Sequence, residues 1–110
     1  MSPAEMLTKL REIAPDLTVY QNPSNRADYM ALMSGVEDGS RHGVLSSLCG
    51  HGPAPDDAMR ELWAEVTKST RLVIDAYQPT RREVVWCDLT NRFLPYGFKR
   101  DASHLLSTAP

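Results

Sequence analysis

The chain has 110 residues, 42% hydrophobic and 24% charged, enough apolar content in one domain to bury a core without metal or disulfide staples. Twelve basic against fourteen acidic residues leave a formal net charge of -2, which builds in no bulk attraction to nucleic acid or anionic membrane. No apolar run approaches the roughly 18 residues of a membrane span, and the opening MSPAEML lacks the basic-then-apolar plan of a signal peptide. The expectation is one cytoplasmic domain over 1–110, away from membranes, with Cys49 and Cys87 as free thiols of a reducing compartment.

Ser2, Pro3 and Glu5 form a helix start: Ser2 can accept from orphan N–H groups, Glu5 sits at the capping-box position, and Pro3 suits the first turn. Met6, Leu7, Leu10 and Ile13 then make one apolar stripe, and Ala14 before Pro15 marks the end. Residues 16–21 alternate as a short strand that closes in the turn Asn22-Pro23-Ser24-Asn25. Residues 26–37 fit two patterns, a strand buried on both sides or a helix capped by Asn25 and ended by Gly35. The hairpin chemistry of Asp38-Gly39-Ser40, leading into Val44, Leu45 and Leu48, favours the strand.

A glycine-rich turn, GHGP, then introduces a helix at Pro55, Asp56 and Asp57. Met59, Leu62, Trp63, Val66, Val73, Ile74 and Tyr77 recur at steps of three and four, which predicts one long helix reaching Tyr77. The competing parse ends the helix at Thr67-Lys68-Ser69-Thr70 and makes 71–77 a strand, since Val73 and Ile74 suit sheets. Residues 82–89 read as a strand with Val84, Trp86 and Asp88 on one face and Val85, Cys87 and Leu89 on the other. A tight turn at Thr90-Asn91-Arg92 leads to a last short strand through Phe93, Leu94, Tyr96 and Phe98, with Pro95 at an edge or bulge. From 99 onward only Leu105 and Leu106 offer anchors, so that tail is expected to fray. The fold class is therefore α+β, a small antiparallel sheet with an N-terminal helix and a long central helix on one face.

Two constellations carry chemistry. Cys49 and His51, with Cys87 and either His42 or His104, nominally supply four zinc ligands, but a structural zinc site has two closely spaced pairs and here only one exists. Cys49 and His51 as nucleophile and base would sit on a turn, where neighbouring side chains rarely aim at each other, and no third residue to orient the imidazole is evident. An anion cradle in the same glycine turn is opposed by Asp56 and Asp57. Arg81, Arg82, Trp86, Arg92, Tyr96 and Lys99 form the second group, cations and aromatics near the ends of the last two strands. That mixture suits a protein interface, with a single-stranded nucleic acid surface as the alternative; as plain structure, Trp86 is core and the arginines are solvated.

The stretch VLSSLCGHGPAPDDAMREL resembles the strand-to-helix junction of HicB-like antitoxins and other small phage or mobile-element proteins. Ala54 stands where that pattern commonly has a helix-capping hydroxyl residue. The order of helix, three strands and helix is similar to double-stranded-RNA-binding domains, whose basic second-helix start is here replaced by Asp56 and Asp57. These resemblances imply architecture and transfer no functional residue. With no metal motif, nucleotide fingerprint or complete catalytic set, no cofactor is expected. The sequence reading is a non-enzymatic accessory protein that binds another protein, for instance a phage-encoded inhibitor of a host defence or regulatory protein. A homodimer is a further expectation should Trp63 or Tyr77 be left uncovered on the helix.

Overall fold

A computed structural model describes residues 1–97; Phe98 of the expected last strand, Lys99, His104 and the tail expected to fray lie outside the described residues. The elements run α1 (Pro3–Leu10), β1 (Val19–Gln21), β2 (Tyr29–Asp38), β3 (Ser46–Gly52), α2 (Pro55–Lys68), β4 (Leu72–Ile74), β5 (Arg82–Cys87) and β6 (Arg92–Pro95). All the strand pairings are antiparallel. The α+β class and the packing of a central helix on one sheet face stand as expected.

The capping box at α1 forms as its sequence predicts: Ser2 Oγ accepts from Glu5 N–H at 3.2 Å while Glu5 Oε1 accepts from Ser2 N–H at 3.2 Å. The helix itself closes sooner than Ala14, at Leu10, and a further turn carries Ile13 and Ala14 into the core.

Strand β2 is the hub. Ala31 faces Val19 of β1 on one side and Gly50 of β3 on the other, and Glu37 likewise lies between Val73 of β4 and Ser47 of β3. Thus β1 and β4 share one edge of β2, the first against its beginning and the second against its end. What permits this is a wide bulge: Met33 to Val36, four residues, lie opposite the single residue Leu48. Gly35 sits in the bulge at φ 79, a conformation that favours glycine, and its carbonyl accepts from Asp75 N–H at 2.8 Å. Of the two patterns open for 26–37, the strand is correct, over Tyr29–Asp38, but it is buried on one side and not on both: Ala31, Met33 and Val36 are interior, while Leu32 is 37% exposed.

The long-helix prediction is not. Helix α2 stops at Lys68, and Leu72–Ile74 is a strand pairing β2 with β5, as the competing parse has it. The reason is polar and local. Ser69, only 4% exposed, turns extended and donates its hydroxyl to Asp38 Oδ1 at 2.6 Å, while Ser40 Oγ accepts from Thr70 N–H at 2.8 Å. Those bonds tie the helix end to the end of β2 and release the following residues to pair with it. Val73 and Ile74 are buried in the sheet, and Tyr77 is 85% exposed in the turn beyond. Their helical spacing was a coincidence of phase.

Helix α2 lies across β1, β2 and β3 and also packs on α1. Ala58, Met59, Leu62 and Val66 are buried against Ala31, Met33 and Leu48. Gly50 makes the close approach possible, because a Cβ there would strike the Ala58 carbonyl and stand 2.5 Å from Leu62 N. Farther along, Trp86 is held edge-on between Trp63 and Phe93, with ring centroids 4.8 and 5.0 Å away.

Candidate functional site

The face of β1, β2 and β3 opposite α2 is set by register. Tyr20, Met30 and His51 are cross-strand neighbours, as are Leu32 and Cys49, so these five share that face, while Val19, Ala31 and Gly50 point toward α2. Tyr20 and Leu32 are 39% and 37% exposed. Both described helices belong to the other side of the sheet.

On this face Cys49 Sγ lies 3.4 Å from His51 Nε2, and His51 Nδ1 lies 2.7 Å from Asp28 Oδ2. Asn22 Nδ2 donates to the same Asp28 oxygen at 3.0 Å. The loop joining β1 to β2 holds that carboxylate in place with its own turn bonds: Asn22 N–H donates to the Asp28 carbonyl at 2.8 Å, Ser24 N–H to Asn22 Oδ1 at 2.9 Å, and Ala27 N–H to Asn25 Oδ1 at 3.1 Å. From the helix side Glu61 Oε1 accepts from His51 N–H at 3.2 Å, capping the outer edge of β3.

Hydrogen bonds from Asn22 first and then His51 hold the Asp28 carboxyl below its ordinary range. An ionised carboxylate only accepts, so the proton of this contact resides on Nδ1. Nε2 is then the nitrogen that faces the thiol. Burial, and after it the charges of Glu61 and Asp28, push the Cys49 thiol up, which favours the thiol over the thiolate.

Sequence reasoning treated Cys49 and His51 as neighbours on a turn, which rarely aim at each other. They are instead two apart on one strand, and the period of two puts both on one face. It missed Asp28 and Asn22 altogether. The signal available was the strand alternation of LSSLCGH, which pairs Met30 with His51 and so brings the residues just before β2 to the imidazole. Among the described residues no group of three or more His, Cys, Asp or Glu side chains is placed to hold a metal ion.

The basic and aromatic group is dispersed. Trp86 is interior at 3% exposure, its Nε1 donating to Asp88 Oδ1 at 2.6 Å. Arg81 Nη2 donates to Glu83 Oε2 at 3.1 Å. Arg82 sits opposite Ile74 at the α2 side of the sheet, and Arg92 opposite Cys87 on the other side. Arg82, Arg92 and Tyr96 are exposed, and Lys99 lies outside the described residues.

Glu83 binds Arg71 more tightly than Arg81, in a bidentate pair of 2.8 and 3.0 Å. Those bonds lower its carboxyl to about 2.

Comparison with known protein families, characterised proteins and solved structures finds no match.

An open groove of about 440 Å³ lies between α1, β1 and the start of α2, lined by Leu7, Arg11, Val19, Pro55, Asp56 and Met59 among others. Trp63, which an uncovered helix face would have exposed, is packed against the core and Trp86. Tyr77 is not on the helix at all.

Proposed function

We propose that the chain is a binding protein that acts by occupying a surface of another protein, an inhibitor of a host defence or regulatory protein encoded by a phage or mobile element being one concrete form. The observation that supports this reading is the β1–β3 face, where Tyr20, Met30 and Leu32 stand in adjacent register positions with no described helix over them. Half-exposed aromatic and aliphatic side chains in one patch are what an interface centre uses, and contiguous apolar surface on a small domain calls for cover. A nucleic-acid surface finds less support. Arg81 is engaged by Glu83, and Arg82 and Arg92 lie on opposite sides of the sheet, so they do not make a single cationic track.

The test is capture of partners by the tagged chain from lysate of its own host, at low and high salt and with and without nuclease, beside the variant Tyr20→Ser/Leu32→Ser. A stoichiometric protein that survives salt and nuclease and is lost with the double variant is the expected result. Capture that instead fails with Arg82→Ala/Arg92→Ala, or material that salt and nuclease remove, would overturn the assignment to this face.

A further inference from the structure

The hydrogen-bonded series Asn22, Asp28, His51, Cys49 has a use that binding by the same face does not require. We infer that Cys49 is an acyl-acceptor thiol, with His51 as its base and Asp28 as the residue that positions His51, and that its donor is a thioester. This goes beyond the binding proposal and does not rest on it.

The geometry supplies each part. The Nε2 lone pair is 3.4 Å from Sγ, within reach for proton transfer between nitrogen and sulfur. The 2.7 Å contact to Asp28 fixes which nitrogen carries the proton and steadies the imidazolium once it forms. Asn22 restrains Asp28 in turn. Because the thiol rests protonated, its attack depends on a base rather than on a standing thiolate.

In the reaction, Sγ forms a bond to the donor's carbonyl carbon as Nε2 takes the thiol proton. The bond from that carbon to the donor's sulfur breaks. His51 then returns the proton to the departing thiolate, leaving acyl-Cys49 and a free thiol. Nothing is oxidised or reduced. A thioester suits the site better than an ester or amide, because a thiolate leaves the tetrahedral carbon about as readily as Sγ itself, whereas an alkoxide or amine leaves far less readily than the attacking sulfur. Met30 and Leu32, beside His51 and Cys49 in register, offer apolar surface to the transferred chain.

The titratable groups acting on Sγ are His51 from its own strand, Asp28 from the β1–β2 loop and Glu61 from α2. Asp28 therefore gives a test that separates action through His51 from action on the thiol. If its charge acted only on the thiol, Asp28→Asn would lower the thiol pKa and speed acylation. Because it acts through His51, its loss slows acylation.

The full chain is incubated with the butyryl thioester of N-acetylcysteamine between pH 5.5 and 9, and adducts are located by peptide mass mapping, with Cys49→Ser as the site control. The expected result is an adduct on Cys49. His51→Gln should slow it about tenfold or more at pH 7 and remove the acid limb of the rate profile. Asp28→Asn should slow it about threefold or more, while Glu61→Gln should speed it. Urea midpoints of each variant show that the fold is kept, and a variant that loses its fold is replaced by His51→Asn or Asp28→Ser. Equal rates for wild type and His51→Gln, faster acylation of Asp28→Asn, or no adduct on Cys49 would each overturn the inference.

Discussion

Replacing Gly50 by alanine puts a methyl group into the narrowest part of the interface between β3 and α2. The added Cβ would collide with the Ala58 carbonyl, and would lie 2.5 Å from Leu62 N and 2.9 Å from Leu62 Cβ. Ordinary carbon contacts are about 3.5–4.0 Å, so relief requires α2 to back away by roughly 1 Å. Two of the three obstacles are helix backbone, so no change of rotamer provides it. Ala58, Met59, Leu62 and Val66, all between 0% and 2% exposed, would then sit over a gap. A gap of that size forfeits about a quarter to a half of the dispersion energy at the contact. The expected loss is about 3 kcal/mol, at the upper end of over-packing costs. With a urea slope of about 1.5 kcal/mol/M, the unfolding midpoint should fall by about 2 M with the slope unchanged. A fall of less than about 0.5 M would mean that the helix does not approach the strand this closely, and the account of the core would be wrong.

Glu83 carries a pH signature. Its folded carboxyl is lowered from 4.5 to about 2 by Arg71 first and then Arg81, so the stability it provides is complete above pH 4.5 and is lost as pH falls toward 2. With solvent screening at this partly exposed site, Glu83→Gln should cost about 1 kcal/mol at neutral pH. The gap from wild type should close between pH 4.5 and 2 in urea titrations, and a gap that stays constant over that window would exclude the mechanism. Tyr77→Ser gives a separate check on the end of α2. At 85% exposure the side chain should contribute no more than about 0.5 kcal/mol, whereas a melting-temperature loss of the size expected for a core aromatic would place Tyr77 on a buried helix face after all.

Local chemistry was readable where the chain needs only its near neighbours. The Ser2 and Glu5 capping box and the existence of β5 depend on groups a few residues apart, and both appear. The link from β2 to β3 differs: Gly39 N–H pairs with the Arg71 carbonyl, and the chain turns farther on, where Val44 N–H meets the Arg41 carbonyl, before β3 begins at Ser46. Trp86 illustrates the boundary. Its place on one face with Val84 and Asp88 follows from the strand period, but its burial comes from Trp63 on α2 and Phe93 on β6.

By itself the sequence determined the starts of both helices, the cap of α1 and the α+β class, because these follow from near neighbours and from the helical and strand periods of the backbone. It could not decide whether Val73 and Ile74 end a helix or form a strand, since both are apolar in either phase. That was settled by Ser69 reaching Asp38 across the fold and by β2 offering an unpaired edge after its bulge. The pair Cys49 and His51 could be named from the sequence, but the residue that orients the imidazole belongs to the tertiary level. Asp28 and His51 are 23 residues apart in sequence, and only the antiparallel register of β2 and β3 closes that separation to one hydrogen bond.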